Sequence, residues 1–245
     1  MSNPTAAMLV IGDEILSGRT REANGYHLAG RLVEVGIDLT EIRVVPDDHQ
    51  VIVDALRSLR TAHDHVFTSG GIGPTHDDIT ADAVAAAFEV GIAVREDARR
   101  LVEAAIGSRR PVTDDDLRMA RIPDGATLIV NGVSGVPGFS VSNVHVMAGV
   151  PSIFVIMLDA LLPTLVAGDP VQSREVRFEV GEGRIATPLR ELAAAFPQLS
   201  IGSYPFSGGG AYGTSIVVRG TDVALIDAAV ERLEALRRAA EGAGA

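Results

Sequence analysis

The sequence predicts an α/β protein in which a layer sandwich with a mostly parallel sheet is followed by a small α+β domain. The run "AAMLVIG" (6–12) is apolar throughout and ends in glycine, which is typical of a strand buried on both faces of a sheet. Strand-like and helix-like segments then alternate at the lengths of right-handed crossovers. After the stretch at 164–173 the order of segments changes, which indicates a second domain.

Two helices connect the first three predicted strands. Residues 22–36 carry apolar side chains at helical spacing and end in glycine, which favours a helix with a glycine C-cap. Apolar and polar residues alternate over 37–45, the second predicted strand. Residues 47–61 predict a helix in which Asp48 serves as the N-cap rather than as a ligand. The apolar segment at 64–71 predicts the third strand.

The rest of the first domain contains more helices and two more strands. A helix is predicted at 79–91, where glycine ends it, and another at 151–163, where proline begins it. Further helices are predicted at 97–106 and 113–120, and strands at 126–130 and 143–149. The three aspartates at 114–116 predict a solvated first turn of the second of these helices.

The second domain follows a β-α-β-β-α order. Its predicted elements are a strand at 174–180, a helix at 185–197, strands at 199–205 and 214–220, and a final helix at 222–240. The segment "SGGGAYG" (207–213) resembles a phosphate loop, but its place between two strands favours a hairpin connection. We therefore predict domains at 1–165 and 173–240.

Composition excludes several classes of function. The chain has 245 residues, 47% of them apolar, and a net charge of -11. An acidic chain without a basic run is a poor candidate for binding nucleic acid or a membrane surface. No apolar stretch reaches the length of a membrane span, and the N-terminal segment lacks the basic region of a signal peptide, so we expect a cytoplasmic protein.

The sequence contains no cysteine and no lysine, since all 21 residues of the Lys+Arg count are arginine. Disulfides, thiolate catalysis and Cys-based metal sites are therefore excluded. A Walker-type phosphate loop and Schiff-base chemistry both need lysine and are excluded too. Phosphate recognition in this chain must use backbone amides, helix N-termini, arginine or a metal ion.

Acidic residues follow each of the first three predicted strands. Asp13 and Glu14 follow the first strand, Asp47 follows the second, and Asp77 and Asp78 follow the third. Ligands of open α/β sheets bind beyond the carboxyl ends of the strands. Turns require glycines at such ends, but they do not require acids at three of them, so we expect a ligand site there.

The loop after the third strand, "SGGIGPTHDDIT" (69–80), predicts a phosphate site. Gly70, Gly71 and Gly73 allow the backbone to approach a ligand closely, and the helix after Asp78 adds its positive N-terminal end. Carboxylates beside a phosphate repel it unless a divalent cation lies between them. Because Mg²⁺ typically uses one or two carboxylates plus phosphate oxygens, the acids of this loop imply a metal.

Simpler interpretations exist for some of these residues. Asp77 or Asp78 as an N-cap of the following helix is the alternative to a ligand role. His76 lies inside the loop and is a minor candidate for ligand contact. His63 and His65 flank the start of the third strand and are predicted to lie at the surface.

Six segments together resemble a known family. They are "GDEILSGRTREANGYHLAGRLVEVGI", "VVPDDHQVI", "TSGGIGPTHDDITADAVA", "MARIPDGA", "GVPGF" and "MAGVPSIFVIML". Their order and spacing are similar to those of the molybdopterin-binding (MoaB/Mog-like) domain family over most of 6–165. Within this family, the sequences of the six segments most resemble the branch that forms the N-terminal domain of competence/damage-inducible protein A (CinA). A related domain precedes the FAD synthase module of some eukaryotic proteins.

The resemblance implies a three-layer α/β/α sandwich that binds a phosphorylated nucleotide or pterin at these loops. By motif, the two acids of the adenylyltransferase branch fall on Asp47 and Asp78, which are the expected catalytic residues. The CinA-like branch implies metal-dependent pyrophosphatase activity on ADP-ribose or FAD. The alternatives are binding or adenylylation of molybdopterin and a non-catalytic, ligand-binding scaffold. The sequence has no counterpart of the deamidase domain that follows in CinA, so that activity is not expected.

The residues expected at the site come from the analysis of the strand ends and from the family resemblance. Ligand and phosphate contacts are expected from Ser69, Gly70, Gly71, Gly73, Thr75, Thr80, Asn131 and Ser134. Metal contacts with Mg²⁺, Mn²⁺ or Co²⁺ are expected from Asp13, Glu14, Asp77 and Asp78. The family pattern differs here at Val136 and Ala148, where alanine and proline are usual. The resemblance also implies a homo-oligomer, either a dimer or a trimer.

Overall fold

The computed structural model describes residues 3–107, 109–132, 135–208 and 211–242. These residues form two compact units that divide between Gly168 and Asp169. Each unit has a sheet and a hydrophobic core of its own.

The first unit alternates strands and helices along the chain. Its strands are β1 (Thr5–Ile11), β2 (Asp38–Val45), β3 (His65–Ser69), β4 (Ile92–Val94), β5 (Arg121–Pro123), β6 (Thr127–Ile129), β7 (Gly138–Val141) and β8 (Val144–Met147). Its helices are α1 (Asp13–Leu16), α2 (Asn24–Glu34), α3 (His49–Ala62), α4 (Thr80–Phe88), α5 (Glu96–Gly107), α6 (Asp114–Arg118) and α7 (Pro151–Leu161), followed by a 3₁₀ turn at Leu162–Thr164.

The central sheet has six strands in the order β2-β1-β3-β8-β7-β6. The pairs β1–β2, β1–β3 and β3–β8 are parallel, whereas β7 runs antiparallel to both of its neighbours. The register aligns Ile11 with Val45 and Ser69 with Met147. The carboxyl ends of β1, β2, β3 and β8 therefore meet at one edge of the sheet.

Helices cover both faces of this sheet. Along β1, Ala7, Leu9 and Ile11 pack into the core shared with α3, α4 and α5. The alternate residues Ala6, Met8 and Val10 pack into the core shared with α2 and α7. Because both faces are apolar, the strand reads as a continuous hydrophobic run. The predicted three-layer α/β/α sandwich with a mostly parallel sheet is confirmed.

Several boundaries differ from the sequence-based prediction. The short strands β4, β5 and β7 were not predicted, and β7 adds an antiparallel hairpin with β8. The helix predicted at 79–91 ends at Phe88, because Glu89 adopts the left-handed conformation with φ of 58° and stops the helix before Gly91. Gly36 ends α2 as predicted, with φ of 67°.

The predicted surface position of His65 is wrong. His65 is 8% exposed and His145 is 4% exposed. His65 Nδ1 lies 3.4 Å from His145 Nε2, and Ser140 Oγ lies 2.9 Å from His145 Nδ1. His65 Nε2 is 3.3 Å from the Val166 carbonyl oxygen. Burial, and secondly the neighbouring His65, lower the pKa of His145 to about 3. The other histidine of this strand start, His63, is half-buried.

The predicted solvation of the aspartates at 114–116 is wrong for Asp116. Asp114 and Asp115 are exposed, but Asp116 is 2% exposed. Its two carboxylate oxygens accept hydrogen bonds from Arg110 at 2.6 and 2.7 Å, and it forms a capping box with Thr113. Hydrogen bonds, chiefly from Arg110, hold the pKa of Asp116 well below its usual value. The acidic run thus anchors α6 instead of only facing water.

The second unit is a small α+β arrangement. Its elements are β9 (Gln172–Phe178), α8 (Glu182–Ala195), β10 (Ser200–Gly208), β11 (Ala211–Gly220) and α9 (Val223–Gly242). The antiparallel sheet has the order β10-β11-β9, and both helices pack on it. β10 and β11 pair as far as Gly208 and Ala211, so the glycine-rich segment connects a hairpin as predicted.

No helix in the described part of the chain is both long and apolar enough to cross a lipid bilayer.

Candidate functional site

The candidate site lies at the edge of the sheet where the parallel strands end. The amide of Gly12 donates to the Val45 carbonyl at 3.1 Å, and the amide of Gly70 donates to the Met147 carbonyl at 3.2 Å. Asn24 Nδ2 donates to Ser69 Oγ at 2.7 Å and to the Gly149 carbonyl at 2.8 Å. These bonds hold the ends of four strands and the start of α2 together.

The glycine loop after β3 is held against the start of α4. Thr80 Oγ1 donates to the Gly70 carbonyl at 2.9 Å, and the Thr80 amide donates to the Gly71 carbonyl at 3.0 Å. Gly70 and Gly71 have φ of 108° and 69°. A Cβ at Gly70 would lie 2.2 Å from the Ile11 carbonyl oxygen, and one at Gly71 would lie 2.1 Å from Thr80 Oγ1. Both positions therefore require glycine for the fold itself.

Three successive backbone amides after Gly70 are available to a ligand. No described residue accepts a hydrogen bond from the amide of Gly71, Ile72 or Gly73. All three residues line a cavity of about 480 Å³. Unpaired amides beside a cavity provide a binding site for an anion such as phosphate.

The cavity has an apolar wall and a polar rim. The apolar wall includes Met119, Val136, Ile153 and Met157, in addition to the loop. The polar rim includes Glu14, Thr20 and Asp78. A volume of about 480 Å³ lies within the usual range of small-molecule sites, which combine apolar walls with a few polar groups.

Asp78 stabilises the glycine loop through hydrogen bonds with Thr75. Its Oδ2 accepts from the Thr75 amide at 2.8 Å and lies 2.6 Å from Thr75 Oγ1. A Cβ at Gly73 would lie 2.6 Å from the same oxygen. The N-cap of α4 is Ile79, with no side-chain hydrogen bond, so neither Asp77 nor Asp78 caps that helix.

Asp77 is exposed and does not line the cavity. Its Oδ1 is 2.5 Å from Thr75 Oγ1, and this hydrogen bond is the main cause that lowers the pKa of Asp77. His76 is exposed and lies 3.8 Å from the same carboxylate oxygen. His76 does not line the cavity.

A second acidic group lies at the ends of β1 and β2. The Asp13 amide donates to Asp47 Oδ2 at 2.9 Å. Partial burial is the largest cause that raises the pKa of Asp47, opposed by this hydrogen bond. The charges of Asp13, Glu14 and Asp77 raise the pKa further. The site therefore concentrates negative charge, and Asp47 binds a proton more readily than a free carboxylate does.

The structure sorts the expected site residues into three sets. Gly70, Gly71, Gly73, Glu14 and Asp78 line the cavity. Asp13, Asp47, Asp77 and Thr75 do not line it, and they are connected to the site through the hydrogen bonds and charges above. Ser69, Thr80 and Asn131 are buried and hold the loops, Asn131 by donating to the Val136 carbonyl at 2.6 Å. Ser134 lies outside the described residues.

Several residues of the site were not expected from the sequence, among them Asn24, Thr20 and Met119. Asn24 joins β3 to the loop after β8, and its only sequence signal is a polar residue that begins an amphipathic helix. Thr20 and Met119 line the cavity from segments without a strand end. Their placement depends on the tertiary fold, for which the local sequence carries no pattern.

The described residues contain no group of three or more histidine, aspartate or glutamate side chains placed to hold a metal ion. Among the described residues, the carboxylates that line the cavity are those of Glu14 and Asp78. This arrangement fits an ion that takes one or two carboxylates and completes its coordination with ligand phosphates and water.

Two family models match the chain. Residues 7–167 match the model described as "Probable molybdopterin binding domain", and residues 170–240 match "FAD synthase, middle domain".

Two curated relatives and one solved structure are similar to the chain. A "Probable FAD synthase" of Caenorhabditis elegans is 33% identical over 229 residues, covering 82% of this chain and 44% of that protein. A "CinA-like protein" of Citrifermentans bemidjiense is 34% identical over 209 residues, covering 81% and 48%. The chain thus spans about half the length of these two relatives. The crystal structure of a CinA protein from Thermoplasma acidophilum aligns with a TM-score of 0.63 and 30% identity, covering 68% of this chain and 100% of that chain.

The first match spans more than half of the residues and includes every loop of the site just described. The chain therefore belongs to the molybdopterin-binding domain family, alongside its CinA-like relatives.

Proposed function

We propose that this protein hydrolyses the pyrophosphate bridge of a nucleotide such as ADP-ribose or FAD, with a divalent metal ion. The observation that carries the proposal is a single cavity in which the unpaired amides of Gly71, Ile72 and Gly73 lie beside the carboxylates of Glu14 and Asp78. A diphosphate needs both hydrogen-bond donors and charge neutralisation, and this cavity combines the donors with groups that bind a cation.

Different residues of the site have different roles in the proposed reaction. The amides at 71–73 bind phosphate oxygens, and the apolar wall with Val136, Ile153 and Met157 accommodates the base or flavin ring. Asp78 and Glu14, which both line the cavity, are the residues that would hold Mg²⁺, Mn²⁺ or Co²⁺. Asp13 and Asp77 add negative charge nearby. When bound, such an ion neutralises charge on the phosphate oxygens.

Asp47 is the proposed general base. Its partly buried position and the surrounding carboxylates raise its pKa, which improves its ability to accept a proton. The water oxygen forms a bond to one phosphorus as the bond from that phosphorus to the bridging oxygen breaks. One proton of the water passes to Asp47, and the two products are phosphate monoesters, one of them AMP.

The second unit supports flavin as one substrate to test. It matches the family model for the middle domain of FAD synthase, and one relative carries the name "Probable FAD synthase". This support rests on sequence similarity, so ADP-ribose and FAD are both tested as substrates.

A turnover screen tests the proposal. Purified protein is incubated with ADP-ribose, FAD, NAD or ATP, each with Mg²⁺, Mn²⁺ or Co²⁺, and AMP is measured by chromatography. We expect metal-dependent release of AMP from ADP-ribose or FAD. Release from none of these substrates by folded protein would overturn the proposal.

The apolar wall of the cavity also favours a second candidate, binding or adenylylation of molybdopterin. The family model carries a molybdopterin-binding description, and a planar pterin fits an apolar wall with a polar rim. Adenylylated pterin formed from molybdopterin and MgATP would establish this function. Tight binding of pterin or nucleotide without any product would instead indicate a ligand-binding scaffold.

Self-association into a dimer or trimer is part of the proposal by resemblance to the family. Sedimentation velocity at several protein concentrations measures it, and a monomer throughout would exclude it.

A further inference from the structure

Arg118 is a cationic side chain at the edge of the candidate site. It is the last residue of α6, and it is half-buried. Together with Gly71, Gly73 and Asp78, it lines a small cavity of about 20 Å³. The larger cavity of the site shares Gly71, Gly73 and Asp78 with this one, so Arg118 lies next to the unpaired amides.

The guanidinium of Arg118 lacks the partners that neighbouring arginines have. Its Nε is buried and has no hydrogen-bond partner among the described residues. Arg121 lines the same small cavity but forms a bidentate ion pair with Asp82, with N–O distances of 2.6 and 2.7 Å. Arg110 is paired in the same way with Asp116. No carboxylate in the described residues lies within ion-pair distance of Arg118.

A buried guanidinium N–H without an acceptor is unfavourable unless a ligand supplies the acceptor. The nearby site is rich in carboxylates, which repel phosphate. The chain has no lysine to offset this charge. Arginine suits the task, since its planar fork of donors matches phosphate oxygens.

We propose that Arg118 binds a phosphate oxygen of the substrate at the glycine loop, and that the site thereby selects ligands carrying a phosphoanhydride over the bare nucleoside. This inference rests on the proposed function, because it assigns a diphosphate ester to the same cavity. Arg118 is a substrate-binding residue in this assignment, and the amides at 71–73 bind the remaining phosphate oxygens.

Calorimetric binding of two probes tests the assignment. The probes are α,β-methylene-ADP, a diphosphate that is not hydrolysed at its bridge, and adenosine, both in the presence of Mg²⁺. The variants are Arg118→Gln, Arg118→Lys and the control Arg100→Gln, which removes the same charge from an exposed arginine of α5.

We expect Arg118→Gln to raise the Kd for α,β-methylene-ADP about tenfold or more, the usual scale of a lost charge-assisted hydrogen bond. Arg118→Lys should fall between the wild type and this variant, because it keeps the charge without the fork. Arg100→Gln should leave the Kd unchanged, and none of the variants should change the Kd for adenosine.

Thermal unfolding separates binding from a structural role. A guanidinium without a protein partner contributes little to folding, so Arg118→Gln should unfold within about 2 °C of the wild type. An unchanged Kd for α,β-methylene-ADP in Arg118→Gln would overturn the inference. An equal loss of adenosine binding, or a large fall in the unfolding temperature, would also overturn it.

The results distinguish this inference from the proposed function. Diphosphate binding that depends on Arg118, with no hydrolysis of any substrate, would support the inference and overturn the pyrophosphatase activity. A wild-type protein that binds neither probe would overturn the inference, whereas the pyrophosphatase activity is decided by the turnover screen.

Discussion

The two edges of the central sheet differ in how completely their polar groups are paired. At the amino edge, His65, His145 and Ser140 bond one another, and Asn143 Nδ2 donates to the carbonyls of Arg60 and His63, both at 2.9 Å. At the carboxyl edge, three successive amides and a buried arginine Nε have no partner among the described residues.

Both edges belong to the same six strands, so the difference does not come from the type of fold. Buried polar groups are normally satisfied, and a concentration of unpaired donors beside a cavity is therefore informative. The polar side chains named at the amino edge are paired with protein groups, whereas the carboxyl edge has donors without a partner among the described residues. Substitutions at the two edges should have different consequences.

The largest expected effect is on turnover. Asp78→Asn keeps the shape of the side chain and an acceptor for the Thr75 amide, but removes the charge beside the glycine loop. We expect turnover to fall by roughly 10²- to 10⁴-fold with little change in unfolding temperature. Steady-state kinetics with the substrate found in the screen measures this. Asp115→Asn, at an exposed position outside the cavity, is the control and should retain full activity.

Equal turnover in Asp78→Asn and the wild type would remove Asp78 from the catalytic site. It would also weaken the contrast between the two edges.

Gly71→Ala should reduce stability strongly. Residue 71 has φ of 69°, and a Cβ there would lie 2.1 Å from Thr80 Oγ1. Backbone strain and overpacking together cost about 2–5 kcal/mol of the free energy of unfolding. Gly18→Ala is the matched control, because Gly18 has φ of 72° but nothing lies within 4 Å of the position that a Cβ would occupy there.

Gly18→Ala should therefore lose only about 1–2 kcal/mol. Urea denaturation of both variants measures the difference. Equal losses in the two would show that the Thr80 contact adds nothing to the requirement for glycine.

The same substitution at two asparagines compares the edges directly. Asn143→Ala, at the amino edge, leaves two carbonyls without a donor and should cost about 1–3 kcal/mol of stability, with turnover unchanged. Asn131→Ala, at the carboxyl edge, removes the hydrogen bond to the Val136 carbonyl, and Val136 lines the cavity. It should weaken substrate affinity as well as stability. If Asn143→Ala changed KM as much as Asn131→Ala, the two edges would not be functionally separate.

The smallest expected effect is on the dependence of the rate on pH. A general base must be ionised, so turnover should fall as the pH drops through the pKa of Asp47, which lies above the ordinary value of 3.8. Asp47→Asn should slow the reaction and remove this acidic limb. A limb that persists in the variant would assign it to another group.

Stability should respond to the same carboxyl with the opposite sign. A pKa raised by folding means that ionisation is less favourable in the folded state, so stability falls as the pH rises through that pKa. Asp47→Asn should therefore unfold at a slightly higher temperature than the wild type at pH 7. A lower unfolding temperature would indicate that its hydrogen bond with the Asp13 amide outweighs burial and repulsion.

The sequence predicts what is local and periodic. The apolar run of β1, the glycine that ends α2 and the acids at three strand ends all have short-range signals. The strands β4, β5 and β7 have only three or four residues, too few for a periodic pattern.

Burial of polar residues depends on distant partners and was not predicted. His65 is buried because β8 places His145 against it, 80 residues along the chain. Asp116 is buried because Arg110 neutralises it. At the site, the glycine motif predicts the position of the loop. Which of its amides remain free depends on the hydrogen bonds formed in the folded protein, and the sequence alone does not show these.

The histidine pair at the amino edge also fixes the direction of its hydrogen bonds. The Val166 carbonyl can only accept, so a neutral His65 ring donates to it from Nε2 and accepts at Nδ1 from His145 Nε2. His145 Nδ1 then accepts a hydrogen bond from the Ser140 hydroxyl. All the hydrogen bonds of this chain therefore run in the same direction, from Ser140 through His145 and His65 to Val166. Each ring is thereby restricted to one tautomer, with its proton on Nε2. Hydrogen bonds thus fix the positions of these protons at the amino edge, whereas Asp47 at the carboxyl edge is the residue that we propose takes a proton from water.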